Sequence, residues 1–271
     1  MTGPTGGTTA PIPAGGSTAP ILEVFASYQG EGLFVGEPET FVRLGGCPLR
    51  CRYCDTPHSW AVPPRDDEAP GDVGDEGPTW LTPFGTMLRV AEAELDPRRP
   101  IAVTGGEPTI WPDFLLGLAD VAGDRPLRLE TAGQDPDALA AVLPRFDHLS
   151  LDLKLWADLA PPAAPGLPSD RTDWDALRGR QLALALEHVD RGGTVALKLV
   201  VTPGTDPARF DPLLDDLARL APDLPLFLAP ASPREPGPYD LDPVDGVAAR
   251  ALERDLAPRV LPQLHRALGV R

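Results

Sequence analysis

GGCPLRCRYCDTPHSW, residues 45–60, contains every cysteine of the chain: Cys47, Cys51 and Cys54. Its first two residues end ETFVRLGG (39–46), an apolar run in which Gly45 and Gly46 let the backbone turn sharply where a strand ends. An odd number of cysteines argues against a disulfide framework and leaves metal binding, catalysis or inert burial. Clustering within eight residues speaks against inert burial. Spacings of three and two residues let three thiolates point at one centre. Three ligands for a four-iron cluster leave one iron open, and an open metal position is where a substrate or cofactor binds. Two other readings use the same residues. His58, four residues past Cys54, would complete a closed Cys3His zinc site, and Arg50 and Arg52 are the basic neighbours a redox-sensing thiol cluster would rely on.

Outward from this loop the chain alternates. Apolar runs bounded by turn residues predict strands over 21–26, 40–44, 101–104, 127–130, 148–153, 194–201 and 225–229. Helical spacing predicts helices over 82–95, 111–122, 136–143, 174–190 and 207–220, the first with Thr82 as N-cap and Pro83 in the first turn. From Thr40 onward the order is strand then helix. Runs such as VALKLVV (195–201) are nearly continuous in apolar residues, as expected when helices cover one face of a parallel sheet and a second layer fills the other. Six strands from 40 to 229 fit an open doubly wound sheet or a partial barrel, and pattern alone does not choose between them. In either, chemistry gathers at the carboxyl ends of strands, which is where the cysteine loop sits.

With 271 residues, 42% of them hydrophobic, a single domain over 21–271 fits the length. Lys plus Arg is 24 against 40 for Asp plus Glu, a formal charge of −16 that opposes binding to phosphate backbones, so no nucleic-acid partner is expected. No apolar run approaches the ~18 residues of a membrane span, and no basic-then-apolar leader opens the chain; a cytoplasmic protein with no membrane partner is expected. Residues 1–20, rich in Gly, Pro and Thr, predict a disordered tail. Residues 61–79 read as an acidic Pro/Gly-rich insertion, solvated and dispensable for chemistry, and residues 160–173 as a second such loop. The 35 prolines suit stiff, irregular connections. No repeat of fixed period is present.

CPLRCRYC, with Tyr53 just before the last cysteine, resembles the Cx3CxxC signature of the radical S-adenosylmethionine (SAM) superfamily. That resemblance implies a partial (β/α) barrel of about six mostly parallel strands. It also implies a [4Fe-4S] cluster on Cys47, Cys51 and Cys54, with S-adenosyl-L-methionine chelated by the fourth iron and split by one electron to a 5′-deoxyadenosyl radical. VTGGEP (103–108), after the strand IAV, is the second feature of the superfamily. Two glycines permit close backbone approach, and Glu107 has the charge to pair with an ammonium; the resemblance assigns Gly105, Gly106 and Glu107 to the methionine part of the cofactor. Tyr53, Cys54 and Asp55 fall beside the same ligand. SLDLKL (150–155) lies at a later strand, as LETAG (129–133) does, where the superfamily places contacts to ribose and carboxylate; Ser150, Asp152 and Lys154 are the candidates. A buried Asp152–Lys154 ion pair is the alternative, because side chains two apart on a strand share a face.

Within the superfamily, EVFASYQGEGLFVGEPETFVRLGGCPLRCRYCDTPHSW (23–60) resembles the 7-carboxy-7-deazaguanine synthases. Glycines 30, 32 and 36 around Gln29 and Glu31 bring backbone amides close to a flat ligand, so Tyr28, Gln29, Gly30 and Glu31 are candidates for the substrate; a plain glycine-rich turn between strands is the other reading. The resemblance makes Arg43 a partner for a substrate carboxylate through two parallel hydrogen bonds, against a strand-end surface charge. It makes Thr56 a ligand of Mg2+, a hard ion suited to oxygen donors, with the Asp55 carboxylate as the alternative. It places Thr104, His265 and the terminal carboxylate of Arg271, in LPQLHRALGVR (261–271), on the substrate. The implied reaction is conversion of a small-molecule pterin, 6-carboxy-5,6,7,8-tetrahydropterin, to 7-carboxy-7-deazaguanine with release of ammonia, a lyase step towards queuosine and other deazapurines. The radical, not a side chain, does the chemistry. A homodimer and an electron donor such as flavodoxin are implied as well. The rivals are a glycyl-radical-enzyme activase, which acts on a partner protein and has no use for the 29–31 turn, and a zinc-stabilised Cys3His binding module.

Overall fold

The computed structural model describes residues 18–62, 79–94, 96–160, 170–233 and 237–270. Residues 1–17, the body of the acidic insertion (63–78), most of the second loop (161–169) and Arg271 lie outside the described residues.

Among the described residues nine strands form one sheet: β1 (Ala19–Tyr28), β2 (Pro38–Leu44), β3 (Thr79–Leu81), β4 (Ile101–Gly105), β5 (Leu127–Thr131), β6 (His148–Asp152), β7 (Thr194–Val201), β8 (Leu226–Pro230) and β9 (Pro258–Val260), in the order β3-β1-β2-β4-β5-β6-β7-β8-β9. The six strands expected from Thr40 onward, and β9 beyond them, run parallel. β1 is antiparallel to β2, and β3 antiparallel to β1. The helices are α1 (Pro83–Ala93), α2 (Pro112–Ala122), α3 (Pro136–Val142), α4 (Arg171–Asp190), α5 (Asp211–Leu220), α6 (Asp242–Leu252) and α7 (Leu264–Leu268).

Proline accounts for many of the starts. It stands first in α1, α2 and α3 and second in α5 and α6, where its missing N–H costs nothing and its fixed φ suits the first turn. Thr82, Asp135 and Asp170 accept from first-turn amides as N-caps. The helix expected over 207–220 divides: Pro207–Phe210 is a 3-10 turn capped by Asp206, and α5 begins at Asp211, with Pro212 in its first turn. β3 and β9, three residues each, and α6 and α7 were not expected from the pattern.

Strand order chooses between the two topologies. Leaving aside the antiparallel β3, each parallel strand from β2 through β4 to β9 is laid beside the parallel strand before it, so right-handed crossovers put the intervening helices on the same face. Helices α1 to α6 indeed pack side by side in chain order. A sheet wound in one direction and twisted throughout curls into an open, partial barrel with helices outside.

Alternation along the strands then separates two environments. Val42, Leu44, Ile101, Val103, Leu127, Leu129, Leu149, Leu151, Leu197 and Leu199 turn to the helices and share one core with Leu115, Leu118, Leu139, Leu182 and Leu214. Their neighbours Arg43, Thr104, Arg128, Glu130, Ser150, Asp152 and Lys198 take the opposite face. The second apolar layer expected there is partial: Phe25, Phe41 and Ala102 form one cluster, and Ala196, Phe227 and Ala229 lie on that face of β7 and β8. Between them Arg43, Arg128, Glu130, Ser150, Asp152 and Lys198 make its centre polar, which is the correction that matters for function. Among the described residues no helix is long and apolar enough to cross a membrane.

The turn between β1 and β2 closes the bottom of this face. Gln29 and Glu37 pair through the backbone at 2.7 Å. Phe34 lies under the Arg128 guanidinium, 3.5 Å from it, and edge-on to His148. Arg128 in turn binds Glu37 and the fully buried Glu39. Burial pushes Glu39 up to about 7, opposed by Arg128 and reinforced by Glu130. Between the ordinary carboxylate value of 4.5 and about 7 the folded protein therefore holds a proton that the unfolded chain has released, and stability falls as pH rises. Burial holds His148 down to about 4, which gives the opposite slope below about 6.5. We expect the unfolding free energy of wild type relative to Glu39→Gln to decline by ~1–3 kcal/mol from pH ~4.5 to ~7.5, the His148 contribution cancelling in the difference. Urea titrations across that range measure it, and a flat difference would mean that Glu39 is ionised throughout.

Candidate active site

The cysteine loop is held by its backbone. Gly46, at φ +91°, donates to Ser59 O at 2.8 Å, and Cys47 donates to Trp60 O at 3.2 Å. Trp111 Nε1 donates to Gly45 O at 2.9 Å. Arg50 reaches back to the carbonyls of Cys47 and Leu49, both at 2.8 Å, and stacks on Trp60. Beyond it, Ala160 N donates to Arg50 O, and Cys51 bridges to Leu159. Cys47 and Cys51 line an apolar wall of Leu49, Ala132, Trp174 and Leu177.

All three cysteines are free and half-buried. Burial pushes the Cys47 thiol up to about 12, with Glu107 adding to the shift, and pushes Cys51 up as well. Thiols in so dry a wall ionise only when a metal supplies the positive charge. This soft donor set fits an iron–sulfur cluster, and the chain has no fourth cysteine to close it. A closed zinc site needs four ligands around one ion-sized point. Among the described residues no three His, Cys, Asp or Glu side chains gather in that way, and His58 is exposed.

The GGEP turn after β4 is packed against this loop. A Cβ on Gly105, at φ +144°, would stand 2.3 Å from Leu44 O, and one on Gly106 would stand 2.2 Å from Gly46 O and 2.6 Å from Ser59 O. The space that only glycine allows is thus filled by the chain itself. Gly106 N and Glu107 N complete the joint, donating to Leu44 O and Gly46 O at 2.9 and 2.8 Å. Glu107, 1% exposed, accepts from Thr109 N, Thr109 Oγ1, Thr131 Oγ1 and Ala132 N. Its carboxylate serves the joint between β4 and β5 through these four hydrogen bonds. Burial raises its pKa, and those four hydrogen bonds only partly offset the rise.

Across the open face runs a chain of charges. Lys154 and Lys198 both bind Asp152 Oδ2, at 2.5 and 3.2 Å, and Lys198 also binds Glu31 Oε2 at 2.5 Å. Burial opposes ionisation of Asp152, Lys154 and Lys198 alike, yet their mutual attraction outweighs it, holding Asp152 below and both lysines above their ordinary values. Asp152 Oδ1 is buried with no hydrogen-bond partner. An orphaned carboxylate oxygen beside two ammonium groups suits a ligand hydroxyl donor. Lys154 also lies over the Tyr53 ring at 5.2 Å, and burial pushes the Tyr53 phenol up. Ser150 shares the face of β6 with Asp152.

The turn after β1 contributes unevenly. Gln29 Nε2 donates to Glu39 and Glu130, at 3.1 and 3.0 Å, and its Oε1 accepts from Glu31 N at 3.1 Å. Both N–H donors and one lone pair of that amide are engaged, so Gln29 shapes the turn, whereas Glu31 reaches into the charge chain. His265 lies on Gly30, its Nδ1 2.1 Å from where a Cβ would be, and burial favours its neutral ring. Tyr28 is exposed. Arg43 pairs with Glu23 across β1 and β2 at 2.8 Å and stands in register with Thr104 on β4. Thr56 Oγ1 is 3.9 Å from Cys54 Sγ. Asp55 Oδ2 accepts from Gln263 at 2.9 Å; that bond, with Lys198 and Arg266, outweighs burial and lowers its pKa.

Sequence reasoning missed Lys198, Glu39, Arg128, Glu130 and Gln263. Lys198 carried a signal, being the one charged residue of TVALKLVV, and Arg128 and Glu130 alternate with leucines in LRLET. Gln263 carried none.

Residues 41–171 match the radical SAM superfamily. Among curated proteins, 7-carboxy-7-deazaguanine synthase of Methanothermobacter thermautotrophicus is 34% identical over 256 residues, spanning 93% of this chain and 97% of its own length. The same-named proteins of Methanopyrus kandleri and Geobacter sulfurreducens are 33% and 31% identical, over 97% and 91% of this chain and 96% of their own lengths. Among solved structures, that of QueE from Escherichia coli covers 90% of this chain and 93% of its own with a TM-score of 0.57 at 22% identity, which shows a shared fold. With relatives of this similarity matched almost end to end, the chain belongs to the 7-carboxy-7-deazaguanine synthase family of radical SAM enzymes.

Proposed function

We propose that the chain converts 6-carboxy-5,6,7,8-tetrahydropterin to 7-carboxy-7-deazaguanine with release of ammonia. The observation that carries this reading is the continuous polar face on which Glu31, Lys198, Asp152 and Lys154 lead from the turn after β1 to the cysteine loop. Cys47, Cys51 and Cys54 would hold the [4Fe-4S] cluster, and Ser150, Asp152, Lys154 and the GGEP turn would hold S-adenosylmethionine. Bound there, the pair supplies one-electron cleavage of a sulfonium to a 5′-deoxyadenosyl radical.

The chain's own residues bind and orient. Glu31 and Glu130 present carboxylates to the amino and ring N–H groups of a pterin, a charge-assisted match. Arg43, already on the open face, would meet the substrate carboxylate by exchanging its bond to Glu23. Thr56 and Asp55 offer hard oxygens for a Mg2+ ion between the cysteine loop and the substrate. The turn over residues 29–36 below, and the segment around α7 at the side, exclude water. His265 on Gly30 belongs to the same wall in this reading. A homodimer, a reductant such as flavodoxin and a cytoplasmic location, in keeping with three unpaired cysteines, complete it.

Protein reconstituted anaerobically with iron and sulfide, then given reductant, S-adenosylmethionine and the pterin, is expected to yield the deazaguanine and ammonia. Cleavage of S-adenosylmethionine with the pterin recovered intact would overturn the substrate and point to the activase class.

A further inference from the structure

Gln263, between β9 and α7, is used by none of the roles above. Its Nε2 donates to Glu31 Oε1 and to Asp55 Oδ2, both at 2.9 Å, and its Oε1 accepts from Ser232 Oγ at 2.5 Å. Both amide hydrogens and the oxygen are therefore engaged, and each bond goes to a different segment: the turn after β1, the cysteine loop and the loop after β8. Glu31 and Asp55 are two carboxylates facing one point. Lys198 neutralises Glu31 from behind while also serving Asp152, and Arg266 stands 3.9 Å from Asp55. A neutral side chain with two donors lets the carboxylates converge without adding a charge. The residues that follow dock on the same turn. Leu264 N donates to Gly30 O at 3.0 Å, and His265 covers Gly30.

We propose that Gln263 is a positioning residue that fixes Glu31, on the pterin side, against Asp55, on the cluster side, so that the two half-sites acquire their working separation only when the segment around α7 is docked. The role in turnover rests on the pterin reading above; the latch itself does not. Such a part needs no contact with substrate, because small misplacements between reacting partners are costly.

Two variants test it. Gln263→Glu puts a third carboxylate between two others, and Gln263→Leu keeps the bulk and removes the bonds. In protein without cluster or pterin, hydrogen exchange at the Leu264 amide is expected to accelerate about tenfold or more in Gln263→Glu and several-fold in Gln263→Leu. In reconstituted enzyme kcat should fall about tenfold or more while the KM for pterin changes less than about threefold, with S-adenosylmethionine affinity unchanged. Exchange at Leu264 as slow in Gln263→Glu as in wild type would overturn the latch. A rise in KM with kcat unmoved would overturn the positioning role. A wild-type enzyme that leaves the pterin untouched would overturn the function alone, and the exchange measurement would still decide the latch.

Discussion

A Cys51→Ser protein is expected to retain almost none of the roughly four irons per chain of the reconstituted wild type, and to form 5′-deoxyadenosine at least about a thousandfold more slowly, well beyond the 10–100-fold typical of a lost outer-shell contact. Serine differs from cysteine by one atom, but its oxygen is a hard donor that ionises with far more difficulty, and it would face the same dry wall that already pushes the Cys51 thiol up. The backbone bridge from Cys51 to Leu159 does not involve the sulfur. The unloaded variant should therefore melt within about 2 °C of unloaded wild type, a shift equivalent to less than ~1 kcal/mol. Iron analysis and calorimetry on the same preparation separate the two effects. Full iron loading of the serine variant would remove the cluster assignment from this loop.

The second large effect concerns stability rather than metal. Glu107→Ala leaves the amides of Thr109 and Ala132 and the hydroxyls of Thr109 and Thr131 facing a cavity, where one carboxylate had satisfied all four. Buried donors stripped of their partner cost ~1–3 kcal/mol each, less where a hydroxyl can rotate away. We expect a loss of ~3–5 kcal/mol, comparable to breaking a buried charged pair, and a fall in melting temperature of roughly 10 °C for a chain of this size. Glu107→Gln keeps the volume but turns an NH2 group toward donors, so it should fall in between. Thermal unfolding of the unloaded proteins gives the answer without any assay. A midpoint for Glu107→Ala within about 2 °C of wild type would mean that Glu107 does not hold the β4–β5 joint.

The sequence exposed the elements better than their arrangement. Long apolar runs such as 194–201, and proline-led helices such as α1, are local features and could be read directly. β3 and β9 could not: three residues carry too little period, and they exist because a neighbouring strand offers an unpaired edge. Winding direction was legible only through the cysteine motif, since the same alternation serves either topology. Polar residues in the strands were visible as letters, but their common face appears only once registers align Glu130 with Ser150 and Asp152 with Lys198. At Gly105 and Gly106 the close approach read from the motif is made by backbone of this chain. Gln29 and Glu107 show what residue type alone leaves open. Residue type announces what a side chain can bind, while a neighbour far along the chain, such as Glu130 for Gln29, decides whether that capacity is already spent.

The bonds that finish the pocket join parts of the chain made far apart in time. Glu31 and Gln263 are separated by 232 positions, whereas each parallel strand from β2 to β9 pairs with the parallel strand made before it. A nascent chain leaving the ribosome can therefore add its units one after another, closing a single crossover at each step. Glu31 must wait, facing Lys198 alone, until residue 263 has been translated. Newly made protein would thus pass through a nearly complete barrel whose side wall is missing, and ligand competence arrives only once Gln263 has been made.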